Sequence, residues 1–250
     1  MLKFFDANCM VGRRAKKYSF EPVLLENAAD YAAKYGISKL LVFHAYAKEC
    51  HPGKGNELTF DICKTDSRLV PQIVLLPDII WEETDLRSWL ESMVDMGARA
   101  VRLFPKEHGY LMNKRTLAPL LDEVSTLNIP LFVDLESTDW HELTDLLEVY
   151  DGPVILSRTR AWGDDRYYYP LLRDFKNFFV ETSQYKFVGG IEAIYDRFGH
   201  GRLVFGSGLP QFAAGNPVTQ LQYSDIPTEA KEAIAFRNMQ TLIDGVKGVR

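Results

Sequence analysis

The chain has 250 residues, of which 46% are hydrophobic, 25% charged and 12% aromatic, a composition that excludes disordered, collagen-like and coiled-coil proteins. Lys and Arg number 29 against 34 Asp and Glu, which leaves a net charge of −5, and the sequence has no basic run, so we expect no nucleic-acid partner. The length suits one hydrophobic core, and we predict a single domain over residues 1–250.

The apolar runs of the sequence are short. Residues 40–45 and 73–76 are typical of them and fall far below the roughly 20 residues that a membrane helix needs, so we expect no membrane partner. The opening residues MLKFFDANCM lack the pattern of a signal peptide, and we therefore expect a cytoplasmic location. The three cysteines have no CxxC spacing, which favours neither a disulfide framework nor a thiolate zinc site.

Eight apolar runs alternate with eight amphipathic segments along the whole chain. The apolar runs, which we predict to be strands, are 4–8, 39–44, 69–76, 98–104, 131–135, 154–157, 178–182 and 203–206. The amphipathic segments, which we predict to be helices, are 22–35, 57–66, 83–96, 117–127, 140–150, 168–175, 190–198 and 228–246.

This alternation predicts an α/β protein with the (β/α)8 fold of a TIM barrel. About 31 residues per unit suit one strand, one helix and two short loops. An open, doubly wound sheet is the alternative. Its glycine-rich first turn is missing, because Gly12 is followed by two arginines.

In a (β/α)8 barrel the active site lies at the carboxyl ends of the strands. The polar residues that close the apolar runs are therefore the candidate site residues. Because side chains alternate along a strand, we expect the first run to direct Phe4, Asp6 and Asn8 toward the barrel interior. We expect Phe5 and Ala7 to pack under the helices.

The fourth run contains an arginine between apolar residues. Val101 and Leu103 require burial under the helices, which turns Arg102 toward the barrel interior. An unpaired guanidinium is costly there, so Arg102 needs a carboxylate partner or an anionic ligand. The nearest candidate partners are Asp134 and Glu136, at the end of the fifth run.

Other polar residues also end predicted strands, namely His44, Ser157, Glu181 and Ser207. The orientation of Glu181 and Ser207 is ambiguous by one residue. For each of these residues, hydrogen bonding at the barrel mouth without catalysis is the alternative to a functional role.

Aromatic residues follow the sixth predicted strand. Tyr167, Tyr168 and Tyr169 come after Arg160 and Trp162 in this loop. These rings either cover the mouth of the barrel as an aromatic lid or pack on the outer face of the sixth helix. Both interpretations are open at this point.

Six segments spread along the chain carry a resemblance to a known family. In chain order they are FFDANCMVG, GARAVRLFP, PVILS, NFFVETS, GRLVFGSGLP and RNMQTLI. With these segments the chain resembles the amidohydrolase-related family, whose members are metal-dependent hydrolases and decarboxylases on a distorted (β/α)8 barrel. The resemblance extends essentially from end to end and implies an amidohydrolase-like TIM barrel.

The family's metal ligands are missing from the matching positions. The family has His-x-His at the end of the first strand, one histidine on each of the fifth and sixth strands, and an aspartate after Gly-Ser on the eighth. These positions fall on Asn8, Met10, Asp134, Ser157 and Gly208 here. Asparagine and methionine replace imidazole poorly, and glycine neither binds a metal nor accepts a proton. The resemblance therefore implies a barrel that has lost the family's metal site, and we expect no cofactor.

Two functional hypotheses follow for a barrel without this metal. The first is a hydrolase or lyase that acts on a small carboxylate, ester or lactone. It would use Asp134 or Glu136 as general base, His44 as general acid, and Arg102 to hold a substrate carboxylate. The second is a catalytically inactive barrel, a pseudoenzyme that binds a small molecule or a protein partner.

A third hypothesis is a hydrolase with a relocated Mn²⁺ or Mg²⁺ site built from Asp6, His44, Asp134 and Glu181. Fold alone does not assign a reaction, so whether the chain is an enzyme is open, as is the formation of a homo-oligomer. A small-molecule ligand is expected at the C-terminal mouth of the barrel. The candidate substrate-binding residues are Asp6, Asn8, Arg102, Ser157, Arg158, Tyr167, Glu181 and Ser207.

Overall fold

Parallel strands form a closed barrel in this computed structural model, which describes residues 2–15, 27–159 and 163–248. The eight strands are hydrogen-bonded to one another in sequence order. Backbone hydrogen bonds from Ala7 to Phe205 (2.9 Å) and from Met10 to Leu209 (2.8 Å) join the first strand to the segment that directly follows the last strand. The predicted (β/α)8 fold is confirmed. The strands are β1 Phe4–Val11, β2 Ile37–His44, β3 Leu69–Val74, β4 Ala100–Leu103, β5 Leu131–Asp134, β6 Val154–Ser157, β7 Phe178–Glu181 and β8 Leu203–Val204.

Helices follow the strands and surround the barrel. Pro22, the predicted start of the first helix, and Arg160 and Trp162 of the sixth loop lie outside the described residues. Within the described residues the α-helices are α1 Ala28–Ala33, α2 Ala45–Glu49, α3 Pro52–Cys63, α4 Ile79–Glu82, α5 Leu86–Asp95, α6 Pro105–His108, α7 Lys114–Thr126, α8 Trp140–Val149, α9 Asp165–Asp174, α10 Gly190–Phe198, α11 Gly215–Tyr223, α12 Thr228–Glu232 and α13 Asn238–Asp244.

Two helices differ from the sequence prediction for identifiable reasons. Helix α3 begins five residues earlier than predicted, because the His51 side chain accepts a hydrogen bond from the Lys54 N–H and Pro52 occupies the first turn. The last predicted helix is interrupted by a π-helical turn, Ala233–Arg237. There the Ile234 carbonyl accepts a hydrogen bond from the Phe205 N–H, so the wider turn joins this helix to the barrel.

A cluster of buried apolar side chains fills the amino-terminal half of the barrel. Members from seven strands can meet only inside a closed barrel. Met239 and Ile243 of α13 belong to the same cluster, so the RNMQTLI segment closes the lower end of the barrel. The strand members of the cluster are Phe5, Ala7, Leu41, Val70, Ala100, Phe132, Ile155 and Val204.

The predicted orientation of the start of β1 is wrong. Phe5 and Ala7 lie in the interior cluster, whereas Phe4 packs in the outer core beneath the helices. The pairing of β1 with β2 is irregular between Asp6 and Cys9. An inserted residue in a strand reverses the faces on either side of it, so strict alternation assigns only part of β1 correctly.

No helix within residues 2–15, 27–159 and 163–248 combines the length and the apolar character needed to cross a bilayer.

Replacement of Met239 tests the closure of the barrel by α13. Met239→Ala removes a wholly buried side chain from the interior cluster and is expected to lower the free energy of unfolding by about 2–5 kcal/mol. Met96→Ala makes the same change at a side chain that is 53% exposed and is expected to cost less than about 0.5 kcal/mol. Urea denaturation followed by circular dichroism measures both. Equal losses in the two variants would contradict the assignment of α13 to the core.

Candidate functional site

A buried arginine lies at the centre of the carboxyl-terminal half of the barrel. Arg102 is wholly buried on β4, while Val101 and Leu103 on either side of it pack in the outer core, as predicted. Its Nη1 donates to Asp134 Oδ1 at 2.5 Å, and its Nε donates to Gln72 Oε1 at 2.8 Å. The predicted pairing of Arg102 with Asp134 is confirmed.

Aromatic rings surround the Arg102 guanidinium. Its central carbon lies 4.9 Å from the ring centroids of Phe43 and Phe132 and 6.0 Å from that of Phe104. These faces attract the cation but do not replace water as hydrogen-bond partners. Burial therefore lowers the pKa of Arg102, while the charge of Asp134 opposes this shift.

A second arginine reaches the same carboxylate. Arg158 follows β6 and is 6% exposed. Its Nε lies 3.5 Å from Asp134 Oδ2, and its Nη1 lies 3.1 Å from Glu136 Oε2. Its backbone has φ of 61°, the left-handed region that residues other than glycine rarely adopt. Such strain is concentrated at functional sites.

Lys48 of α2 is the third cation near Asp134. Its Nζ lies 3.8 Å from Asp134 Oδ2 and 3.0 Å from Glu107 Oε1. Burial of Asp134 opposes its ionisation, but the charges of Arg102, Arg158 and Lys48 outweigh this effect and hold the pKa of Asp134 below its usual value. We call Arg102, Asp134, Arg158 and Lys48 the arginine cluster.

Several buried polar atoms in and beside this cluster have no hydrogen-bond partner among the described residues. Buried polar groups are almost always paired in folded proteins. Unpaired donors next to an unpaired acceptor, at the mouth of a barrel, are what a polar ligand would satisfy. The atoms are Gln72 Nε2, Arg102 Nη2, Asp134 Oδ2, Ser157 Oγ, Arg158 Nε and Thr159 Oγ1.

A buried glutamate, Glu181, lies at the end of β7, the strand that pairs with β6. Asn8 Nδ2 donates to Glu181 Oε2 at 2.8 Å, and Ser183 donates to both carboxylate oxygens, through its N–H and its hydroxyl. A Cβ atom at Gly206 would overlap Glu181 Oε1, so only glycine leaves room for this carboxylate. Burial raises the pKa of Glu181 to about 7.

Asp6 and Ser207 form a neighbouring buried pair. Asp6 Oδ1 accepts hydrogen bonds from the Ser207 N–H (2.8 Å) and the Asn8 N–H (3.0 Å), and the Ser207 hydroxyl donates to Oδ2. Burial raises the pKa of Asp6, against the effect of these hydrogen bonds. The contacts join β1 to the segment that follows β8, so the pair has a structural role in closing the barrel.

His44 ends β2 and precedes α2, the helix that carries Lys48. Its Nδ1 accepts a hydrogen bond from the Tyr46 N–H at 3.0 Å and thereby caps α2, which places the ring proton of the neutral form on Nε2. Burial lowers the pKa of His44. Of the three predicted catalytic residues, Asp134 is thus bound by cations, Glu136 is paired with Arg158, and His44 caps a helix. Their catalytic role stays a prediction.

The tyrosines after β6 pack among the helices. Tyr167 stacks on Trp140 of α8, with 5.1 Å between ring centroids and an interplanar angle of 8°. Tyr168 is buried in the outer core and donates to the Tyr185 hydroxyl at 2.9 Å. Of the two interpretations left open by the sequence, packing on the helices is confirmed for Tyr168, and the aromatic lid is contradicted for this residue.

The residues at the positions that the resemblance assigns to metal ligands have other contacts in the structure. The Asn8 amide donates to Glu181, and Met10 packs in an apolar cluster at the mouth. Gly208 has φ of 71°, and a Cβ atom there would lie 2.8 Å from the Phe212 ring. In the described part of the chain, no three His, Cys, Asp or Glu side chains are placed to share a metal.

The relocated metal site is therefore a prediction that the structure contradicts. Its four members were Asp6, His44, Asp134 and Glu181. Asp6 is bound to Ser207, His44 caps α2, Asp134 is paired with Arg102, and Glu181 is paired with Asn8. Each side chain is held by a different partner, so they do not converge on one cation.

Sequence reasoning missed two residues of the site. Gln72 is a single polar residue within the apolar run 69–76, the same signal that identified Arg102, and could have been found in that way. Lys48 lies on α2, a helix of five residues that the periodicity did not predict. Nothing in the local sequence indicates that Lys48 approaches Asp134.

Solved structures share this fold. A 5-carboxyvanillate decarboxylase from Novosphingobium aromaticivorans, complexed with manganese and 4-hydroxy-3-methoxy-5-nitrobenzoic acid, has a TM-score of 0.76 at 13% identity over 97% of this chain and 96% of that chain. A 2,6-dihydroxybenzoate decarboxylase from Rhizobium has a TM-score of 0.72 at 12% identity over 98% and 99%. A probable 2-pyrone-4,6-dicarboxylic acid hydrolase from Acinetobacter baumannii with citric acid bound has a TM-score of 0.73 at 14% identity over 97% and 100%.

These similarities define the class of fold. The chain has a (β/α)8 barrel, and the solved structures that share this fold include decarboxylases and a probable hydrolase. No protein-family model and no curated protein sequence matches the chain. At these identities the similarity shows the fold alone.

Replacement of Asp134 tests the central ion pair. Asp134→Asn leaves the buried Arg102 charge without its counterion and is expected to lower the free energy of unfolding by about 3–5 kcal/mol. Asp174→Asn removes an exposed partner of Arg173 and is expected to cost less than about 1 kcal/mol. Urea unfolding at neutral pH measures both. A loss in Asp134→Asn no larger than in Asp174→Asn would contradict the structural role of the pair.

The raised pKa of Glu181 predicts a specific dependence of stability on pH. The folded state holds this proton up to about pH 7, whereas the ordinary value is 4.5, so stability is lost as pH rises between these values. Each unit of pKa difference is worth about 1.4 kcal/mol, which gives about 3 kcal/mol in total. Glu181→Gln should remove this loss between pH 5 and pH 8 in urea unfolding, and exposed Glu148→Gln should retain it. An unchanged pH dependence in Glu181→Gln would refute the assignment.

Proposed function

We propose that the chain binds a small organic carboxylate at the carboxyl-terminal mouth of its barrel, and that it is a hydrolase or lyase acting on that acid, its ester or its lactone. The observation that carries the proposal is the set of unpaired donors on two buried arginines. Arg102 Nη2 has no hydrogen-bond partner, and Arg158 Nε has only an ion-pair contact, 3.5 Å from Asp134 Oδ2.

The charge of the arginine cluster favours an anion. Three cations surround the buried Asp134 carboxylate, while Glu107 and Glu136, which are 30% and 42% exposed, pair with Lys48 and Arg158. A ligand carboxylate would accept hydrogen bonds from both arginines. Charge-assisted hydrogen bonds of this kind are stronger than hydrogen bonds between neutral groups. The fixed charges of the two buried arginines, Arg102 and Arg158, thus support a carboxylate rather than a neutral ligand.

The remaining unpaired atoms indicate which other chemical groups the ligand carries. Gln72 Nε2 is a third donor, and Asp134 Oδ2 is an acceptor. Ser157, which pairs with Asp134 in the register of β5 and β6, offers a hydroxyl that donates or accepts. The pattern suits a carboxylate that also carries a hydrogen-bond donor such as a hydroxyl group.

The structural neighbours support the same class of ligand. Their names specify 5-carboxyvanillate, 2,6-dihydroxybenzoate and 2-pyrone-4,6-dicarboxylic acid, and one contains citric acid. Each compound is a carboxylic acid. Because sequence identity is 14% or less, this agreement adds to the site geometry and does not replace it.

Glu181 is the residue that we assign to proton transfer. Asp134 is held as an ion by three cations and is therefore a weak base, so its role is to orient Arg102. Glu181 has a pKa of about 7 and is close enough for its charge to act on Arg102. A catalytic acid or base works best with a pKa near the operating pH, which favours Glu181 over Asp134 and His44.

We also propose that the reaction needs no bound metal. The support is the chemistry of the side chains: the Asn8 amide is used as a donor to Glu181, and Gly208 brings no carboxylate. The guanidinium groups of Arg102 and Arg158 would supply the positive charge that stabilises an anionic substrate or transition state.

Titration calorimetry with small acids tests the proposal. Salicylate and phthalate are expected to bind, and benzamide, which lacks the charge, is not. Arg158→Gln should weaken binding about 10- to 100-fold, because a hydrogen bond to a charged group is worth about 1.5–3 kcal/mol. Arg173→Gln, at an exposed arginine of α9, should leave the affinity unchanged. Arg158 is more informative than Arg102, whose removal would leave Asp134 buried without its main counterion.

The same experiment separates the alternatives. Binding in excess EDTA and in excess MnCl2 should be equal, and a metal requirement would refute the metal-free site. Absence of binding by every acid of the panel would refute the proposal as a whole. Binding without turnover of any acid, ester or lactone would identify the chain as a binding protein rather than an enzyme.

A further inference from the structure

Two carboxylates contact Arg158, and they differ in how firmly they are held. Asp134 is 1% exposed and contacts three cations, whereas Glu136 is 42% exposed and contacts Arg158 alone among the cations described, through Nη1 at 3.1 Å. Asp134 is therefore a permanent counterion of Arg158. Glu136 has one contact with a buried cation and is otherwise partly exposed to solvent.

We propose that Glu136 competes internally with the ligand, occupying the outer edge of Arg158 until a ligand carboxylate displaces it. This inference rests on the proposed function, because it names a residue that controls entry to the same site. Glu136, predicted from the sequence as a general base, is thereby assigned a role in ligand selection.

The Glu136 side chain can leave without movement of the backbone. The loop that carries it is anchored by Lys106 Nζ, which donates to the Glu136 carbonyl (3.3 Å) and the Thr138 carbonyl (2.9 Å). Backbone bonds from Leu135 to Ser157 (3.0 Å) and from Ser137 to Asp134 (2.9 Å) hold the loop on the barrel. Displacement therefore requires only rotation of one side chain toward solvent.

Arg158 stays in place when Glu136 leaves. Its left-handed backbone directs the side chain into the mouth, and its guanidinium carbon lies 5.7 Å from the centroid of the Phe212 ring. Asp134 remains near its Nε. The arginine is thus preorganised for a second carboxylate, and the internal one reproduces the position that a ligand carboxylate would take.

The competition sets a threshold for ligands. The ion pair between Arg158 and the half-exposed Glu136 contributes little free energy. A ligand that contacts both Arg158 and Arg102 therefore outcompetes Glu136. A ligand that reaches only Arg158 merely exchanges one carboxylate for another. The site therefore selects acids that penetrate to the buried arginine over acids that bind at the rim.

Two substitutions at Glu136 separate displacement from a general charge effect. Glu136→Gln removes the charge, whereas Glu136→Asp keeps the charge but shortens the side chain so that it no longer reaches Arg158. Displacement predicts that both variants bind salicylate about three- to fivefold more tightly than the native protein, the size expected for one exposed ion pair. A general charge effect predicts tighter binding in Glu136→Gln alone, and this result would overturn the inference.

The reactivity of Arg158 toward phenylglyoxal provides a second measurement that needs no ligand. Modification of Arg158, followed by peptide mass mapping, should be faster in both variants, with Arg173 as the internal control. Equal rates at Arg158 in all three proteins would overturn the inference. If the native protein binds salicylate but neither variant binds it more tightly, only the inference fails. If no protein binds any acid of the panel, the proposed function fails, and the inference fails with it.

Discussion

The structure of the site depends on the burial of one positive charge. Arg102 is wholly enclosed by the barrel and ringed by aromatic faces, so it requires a carboxylate in direct contact. Asp134 supplies that contact at 2.5 Å, and its own charge draws Arg158 and Lys48 to the same place. The unpaired donors that we interpret as a ligand site are a consequence, because three cations around one carboxylate leave hydrogen-bonding capacity unused.

The two sides of the barrel mouth hold carboxyl groups in opposite environments. Asp134 lies among cations, and its pKa is lowered, whereas Glu181 lies among the neutral donors of Asn8 and Ser183, and burial raises its pKa to about 7. A pair of groups whose pKa values are moved apart by their surroundings is a common arrangement for one positioning group and one proton-transferring group. The site thus combines a fixed cationic side and a titratable side within one barrel.

How much of the fold and the site could be predicted from the sequence depends on how far apart along the chain the contacting residues lie. The alternation of side chains along β4 predicted correctly that Arg102 faces the barrel interior, because this prediction requires only the neighbouring Val101 and Leu103. The same reasoning failed at the start of β1, where Phe5 and Ala7 face the interior. There an irregularity between strands reverses the faces, and such an irregularity leaves no trace in the local pattern of polar and apolar residues.

The sequence by itself determined the eightfold repeat of strand and helix and the need of Arg102 for an anion, because both follow from local periodicity and from the cost of a buried charge. Only the tertiary structure decided which side chains meet at the mouth. Lys48 approaches Asp134, Gly206 makes room for Glu181, and the backbone of Arg158 turns its side chain inward. These contacts arise from the closure of the barrel, which brings together strand ends that are far apart along the chain.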